Sequence, residues 1–413
     1  MTSATAAPMS FGDVLRITVI RRIWYAQVVS LLGDFLALFA VLSVVSFRLH
    51  GTPAQVTGVQ VAYTLPMALL GPVSGVFVDR WPLKRTLVTS DVLRAGLVLL
   101  LFAATSLWQV YLVLVGISAV SSFFAPAQSV TIRHSVPAHG LLSANALMQM
   151  AMMGVRIVGP AAAGVLVSAF GPEICYAIDA TSFAASACLI LSVSIMRPAD
   201  AQEQTRRAAG IRGVLSDMSV GIRFIATHPT VSFVAAAMAA GLFTIGCFGP
   251  LIAIFVRELL HGTERLFGAA SAMIGVGLLI GTSALRAVGA RSANETLILR
   301  GLAGIGVGVL ALGAVLHAAA TLVAMFVVGF SFAFVMVPSQ TLMQQTTPHA
   351  LLGRISSTMI SIVFMANLLG LVVAGVLAQI VGVRAVFLGC SVLAWVLALS
   401  GRQLLSSRAP APA

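Results

Sequence analysis

Residues 23–47 read IWYAQVVSLLGDFLALFAVLSVVSF, twenty-five positions that contain a single charge, Asp34, and no proline. About 20 apolar residues in a helix rising 1.5 Å each suffice to cross a hydrocarbon core of about 30 Å. A soluble helix of this length would carry a polar stripe, and this one carries none. Arg16, Arg21 and Arg22 stand just before the run. The first 22 residues hold no apolar core of leader type, so the run reads as an uncleaved span.

The rest of the chain repeats that pattern. Of its 413 residues 59% are apolar and 9% charged, with a mean hydropathy of +1.04. A soluble domain carries about 25% charge, which excludes a soluble enzyme, a nucleic-acid binder and a disordered scaffold. The apolar runs are continuous, unlike the alternating segments of an outer-membrane barrel. Breaking them at charges, Pro and Gly predicts twelve segments, about 23–47, 56–78, 86–105, 108–132, 141–169, 174–196, 230–256, 266–287, 296–316, 321–345, 351–380 and 383–405. The expected fold is an all-α membrane protein of twelve transmembrane helices in two six-helix, pseudo-symmetric halves. Its parts are a cytoplasmic N-terminal segment (1–22), an N-terminal bundle (23–196), a cytoplasmic linker with an amphipathic helix (197–229), a C-terminal bundle (230–405) and a cytoplasmic tail (406–413).

Charge sets the orientation. With the N-terminus inside, seventeen Arg and Lys residues fall on the cytoplasmic side and four on the other, leaving Arg94, Arg156 and Arg300 within spans. The positive-inside rule then puts both termini in the cytoplasm. In the linker, Ile211, Val214, Leu215, Met218, Ile222 and Ile225 recur at spacings of three and four, the mark of a helix lying on the membrane surface. It either tethers the halves or binds a partner. The halves themselves repeat. An offset of 211 carries Pro137 onto Pro348 and Gly164 onto Gly375, and an offset of 206 carries Gly71, Gly75, Arg80 and Arg94 onto Gly277, Gly281, Arg286 and Arg300. Such duplication is the plan of secondary transporters, with a midplane site and alternating access.

Intramembrane charge marks the candidate chemistry. Asp34 lies ten residues past Trp24, about 15 Å along a helix, near the bilayer centre. A lone charge there costs on the order of 3 kcal/mol or more, so a partner is required. Asp179, about eight residues into span six, is either a second protonatable or cation-recognising group or an acid favoured by the helix start. Asp91 and Arg94, one turn apart, read as an interfacial ion pair. Met148, Met150, Met152 and Met153 either fill the core or line an adaptable pocket.

The loop after span two, Gly75-Val-Phe-Val-Asp79-Arg80-Trp-Pro-Leu-Lys84-Arg85, is similar to the Gly, Asp-Arg and basic-pair signature of the major facilitator superfamily. SLLGDF (30–35), SDVLRAG (90–96), FFAPAQS (123–129), LLSANAL (141–147), RIVGPAAAG (156–164), IDATSF (178–183), IRFIATHP (222–229) and LLGRISS (351–357) extend the resemblance over nearly the whole chain, toward the branch of macrolide-type and siderophore-type exporters. In this chain Pro82-Leu83 replaces the usual Gly-Arg, and Ala163-Gly164 the usual Gly-Gly. The resemblance implies a gating set of Gly75, Asp79, Arg80, Lys84, Arg85, Asp91, Arg94, Gly159, Pro160 and Arg354. Asp79 would then belong to a charge network closing the inner face, or be a solvated loop charge; the basic residues would serve gating or topology. Gly159-Pro160 resembles the exporter branch's bendable seam. Spans one and five are neighbours in the resembled fold, and Arg156 lies fifteen residues past Leu141. Asp34 and Arg156 are therefore expected to pair, either as a proton-coupling switch with Asp179 or as a static structural pair. Asp34, Asn145 and Met152 are the candidate cargo contacts.

Enzyme signals fail. Residues 306–311 match a dinucleotide fingerprint without the strand and acidic follower it needs, and neither the seven His nor the four Cys approach metal-ligand spacing. There is no ATP-binding loop, so no cofactor is expected and energy should come from a proton gradient. The reading is a proton-coupled exporter of small amphipathic molecules in a bacterial inner membrane, a monomer in the lipid bilayer with a small-molecule substrate and no nucleic-acid partner. A metabolite symporter or facilitator, or a non-transporting sensor, is the alternative.

Overall fold

A computed structural model describes residues 9–78, 80–195, 211–288, 293–348 and 351–406, and no strand occurs among them. In hydrocarbon every backbone N–H and C=O must bond within the chain, and helices meet that demand segment by segment. A short helix, α1 (Phe11–Arg16), is capped by Ser10, whose bonds to the Asp13 carboxyl hold that group below its usual range. Six long helices follow: α2 (Thr18–Ser43), α3 (Pro53–Val78), α4 (Leu83–Leu99), α5 (Leu107–Ser135), α6 (Leu141–Phe170) and α7 (Pro172–Leu191). After α8 (Ile211–Thr227) come α9 (Pro229–Phe248), α10 (Glu264–Val288), α11 (Asn294–Ala314), α12 (Ala318–Thr346), α13 (Leu352–Val381) and α14 (Val383–Ser406). Ten of these helices, counting the continuations of α2 and α9, are long and apolar enough to cross a membrane; α3 and α4 complete the twelve. Helix α4 is only 17 residues long and carries four charges, Lys84, Arg85, Asp91 and Arg94.

The repeat holds at 211 throughout. Helices α5 and α12 start and stop at the same offset, as do α6 and α13, and the starts of α3 and α10, α4 and α11, and α7 and α14 obey it too. So do two π-helical turns, Val44–Arg48 and Phe255–Leu259. Each runs into Leu-His-Gly-Thr, residues 49–52 and 260–263, with His50 and His261 at φ 49° and 48°. The pairing at 206 is therefore corrected. It matched small residues and arginines that recur by composition, whereas the helix boundaries place Arg94 opposite Ile305. Gly171 (φ 86°) and Gly382 (φ 83°) break the chain between α6 and α7 and between α13 and α14, in a backbone region essentially reserved for glycine.

The chain divides into two compact units, residues 1–41 with 62–211 and residues 42–61 with 212–413. In the first, α4 packs against α5 and α7; in the second, α11 packs against α12 and α14 in the equivalent way. The second unit also contains the Arg257 side chain, which donates to the carbonyls of Ser46 and of Gly51, the latter at 3.4 Å. Ser46 and Arg257 are themselves 211 apart. Helix α8 rests by Gly221 against Thr358 of α13, with Ile225 buried, while Ile222 of the predicted apolar stripe stays exposed. Residues 196–210 of the predicted linker and 407–413 of the tail lie outside the described residues.

Candidate intramembrane charge site

In the first unit, Asp91 and Arg94 of α4 lie three residues apart on one helix face. They form a buried ion pair, with the Asp91 side chain 0% exposed and that of Arg94 4%. Ser186 of α7 donates to Asp91 Oδ2 at 2.6 Å, which fixes the carboxylate from the other side. The Arg94 guanidinium is sandwiched between the rings of Phe124 of α5 and Phe183 of α7, 4.4 and 4.3 Å from their centroids. The pair forms as expected from its spacing, and it is buried inside the first unit.

The third member is Asp34 of α2, whose Oδ2 lies 3.9 Å from Arg94 Nη1. The expected partner, Arg156, is thereby corrected to Arg94. Counted from the helix starts, Asp34 (sixteen into α2) matches Arg156 (fifteen into α6) better than Arg94 (eleven into α4), so packing and not depth decides the pairing. Gly33 lets α2 approach α7, since a methyl group there would lie 2.6 Å from Asp179 Oδ1 and 3.0 Å from Asp179 Cα. Asp179 is 1% exposed and accepts from the Ser182 hydroxyl at 3.4 Å. Two carboxylates thus flank one guanidinium, and a third, Asp179, lies against α2 beside Asp34. Only Asp34, with 15% of its side chain exposed, is reachable by solvent.

Helix α6 passes beside α2, with Gly159 against Phe35 and Trp24 Nε1 donating to Leu147 O at 3.2 Å. Its residues Asn145, Gln149, Met152 and Arg156 fall at steps of four, three and four, within about 60° of one another around the helix. Asn145, Gln149 and Arg156 are exposed and Met152 half-buried. Arg156 has no ion pair or hydrogen bond among the described residues. A second polar contact, Gln128 Nε2 to Gln27 Oε1 at 2.6 Å, links α5 to α2. Sequence reasoning missed Gln27, Ser186 and the two phenylalanines. The signal available for Ser186 was its place four residues after Ser182 and three after Phe183, on the same face.

The remaining predicted gating residues do not converge. Asp79 lies outside the described residues. Lys84 Nζ donates to Leu191 O at 2.7 Å, and Arg22 Nη1 to Ser192 O at 3.3 Å, so both cations cap the C-terminus of α7, where the helix dipole favours them. Arg80, Arg85 and Arg354 are exposed. Gly75 has no atom within 4 Å of the position a Cβ would take, and Pro160 lies inside α6 next to the Gly159 contact. No group of three or more metal-ligating side chains occurs among the described residues.

In the second unit, positions 211 residues on from Asp34, Asp91, Arg94 and Asp179 hold Ile245, Leu302, Ile305 and Cys390. The scaffold is duplicated; the charge site is not.

The model of the Major Facilitator Superfamily matches residues 23–366. The chain is 29% identical to the uncharacterized MFS-type transporter YfiS of Bacillus subtilis, over 93% of each chain. It is 26% identical to the multidrug efflux pump Tap of Mycolicibacterium fortuitum, over 83% of this chain and 85% of the relative. Macrolide efflux protein A of Streptococcus pyogenes is 24% identical over 89% and 91%. Among solved structures, the nucleoside transporter NupG superposes with a TM-score of 0.72 at 13% identity, covering 94% of this chain and 99% of that one. A bacterial homologue of the lysosomal transporter Spinster gives 0.69 at 13%, covering 97% and 99%.

Proposed function

Because the chain belongs to the major facilitator superfamily, we propose that it is a secondary active transporter exporting small amphipathic organic molecules by alternating access, in exchange for protons. The observation that carries the coupling is the single solvent-reachable carboxylate, Asp34, tied at 3.9 Å to a guanidinium that Asp91 already holds. Excess negative charge in hydrocarbon calls for a compensating cation, and the proton is the smallest. A proton on Asp34 removes its pull on Arg94, which stays with Asp91, and so loosens α2 from α4. Asp179, behind Gly33, is the second site a proton would reach. The change is local in charge and global in effect, as switches of this kind are.

Export as the direction draws on the efflux relatives, Tap and macrolide efflux protein A. The names of those relatives, a multidrug and a macrolide efflux protein, are the support for amphipathic organic cargo. The chain would work as a monomer in the bacterial inner membrane with both termini inside, needing no bound cofactor and no nucleic acid. The test is transport in inverted membrane vesicles loaded with acid. Dye accumulation that collapses with a protonophore and in Asp34→Asn, at unchanged protein level, is the expected result. Undiminished dependence on the pH gradient in Asp34→Asn overturns the coupling, and movement in the opposite sense overturns export.

A further inference from the structure

We infer that Arg156, flanked by Gln149 and Asn145, is a docking point for a carboxylate or sulfonate on the cargo, so that the transported molecule is an amphipathic anion or zwitterion. The inference deepens the transporter reading and rests on it. Arg156 stands fifteen residues into the thirty of α6, more than 20 Å from either end at 1.5 Å per residue. An arginine near a helix end can reach the headgroups; one at the middle cannot. Arg94, the other deeply placed guanidinium, has two carboxylates and two rings around it. Arg156 has no such partner among the described residues and is nonetheless exposed.

Two sides of α6 differ. Ala144, Leu147, Ala151, Val155 and Gly159 are buried against neighbours. Asn145, Gln149 and Arg156, turned about 100° or more round the helix from the middle of these, are exposed. Two amides and a guanidinium in line are incompatible with hydrocarbon, so this face looks onto water. No acid lies on it. The Asp34 carboxylate, on the neighbouring α2, is already engaged by Arg94. A guanidinium presents a planar fork of donors that matches a carboxylate in two-pronged fashion. Gln149 lies about 10 Å and Asn145 about 16 Å along the helix from it, so an elongated cargo would meet the charge at one end and amides along its length. At the equivalent positions of α13 stand Ser356, Ile360, Val363 and Asn367, and the Asn367 amide is committed to Leu242 O at 3.0 Å. Recognition of an anion is therefore assigned to the first unit alone.

The test is binding to the purified full-length protein, followed by thermal unfolding, using three amphipathic carboxylates of different scaffold, rhodamine B among them, each beside its methyl ester. At least one acid is expected to bind tenfold or more tightly than its ester, the preference vanishing in Arg156→Gln and returning in part in Arg156→Lys. Ligand-free melting of Arg156→Gln should match the wild type, which separates recognition from folding. No acid-over-ester preference in the wild type, or the same preference in Arg156→Gln, overturns the inference. Proton-driven export of esters with no acid preference would sink this inference and leave the exporter reading intact. An acid preference that depends on Arg156 without proton-driven export would do the reverse.

Discussion

Arg94→Gln tests the charge site most directly. The substitution leaves Asp91, with no solvent exposure, and Asp34, with little, without a counter-charge. Breaking a buried ion pair by removing one partner costs about 3–5 kcal/mol, and the two ring contacts at 4.4 and 4.3 Å add about 1–2 kcal/mol. A loss of about 4–7 kcal/mol in unfolding free energy is expected. Arg94→Lys keeps the charge but gives up the flat stacking surface, so its loss should be only about 1–2 kcal/mol. The decisive comparison is the double variant Arg94→Gln with Asp91→Asn. It removes the orphaned charge and should recover at least about 2 kcal/mol relative to the sum of the singles. Unfolding in mixed micelles titrated with dodecyl sulfate, read by tryptophan fluorescence, measures the wild type, the three single variants (Arg94→Gln, Arg94→Lys, Asp91→Asn) and the double. A loss below about 1 kcal/mol for Arg94→Gln, or strict additivity in the cycle, would refute the claim that one guanidinium holds the site together.

Gly171→Ala and Gly382→Ala should each cost about 1–3 kcal/mol, and nearly the same amount, because both sit at φ above 80° at equivalent points of the repeat; matched melting curves check this, and a neutral substitution at either argues against the shared backbone. Arg257→Ala removes donors from the Ser46 and Gly51 carbonyls. Faster hydrogen exchange confined to residues 44–52, worth about 1–2 kcal/mol of protection, is the expected signature.

The number of spans was readable because hydrocarbon imposes one demand on every crossing segment, and residues 23–47 state it outright. The duplication was readable too, but its register was not. Glycine and arginine recur so often in such helices that 206 looked as good as 211 for the early spans, although the twin Leu-His-Gly-Thr stretches at 49–52 and 260–263 mark the true offset in plain letters. At the charge site, the sequence named all four ionisable residues and joined Asp91 to Arg94 by their spacing. It failed over Asp34, because the adjacency of spans one and five in the resembled fold and their similar depth favoured Arg156, while the approach of α2 to Arg94 shows only in the packing. Spacing put Ser186 on the Phe183 face of α7 but could not name Ser186, Phe124 or Phe183 as partners, since what makes them so is the packing of α4 between α5 and α7.

The duplicated scaffold also supplies its own control. One copy of the six-helix plan closes around Ile245, Leu302, Ile305 and Cys390, so the architecture has no need of ionisable groups at those places. Borrowing all four, Ile, Leu, Ile and Cys, for positions 34, 91, 94 and 179 is then a rational route to a hardened, electrically silent form of the protein, suited to crystallisation or to use as a membrane-embedded framework for new chemistry.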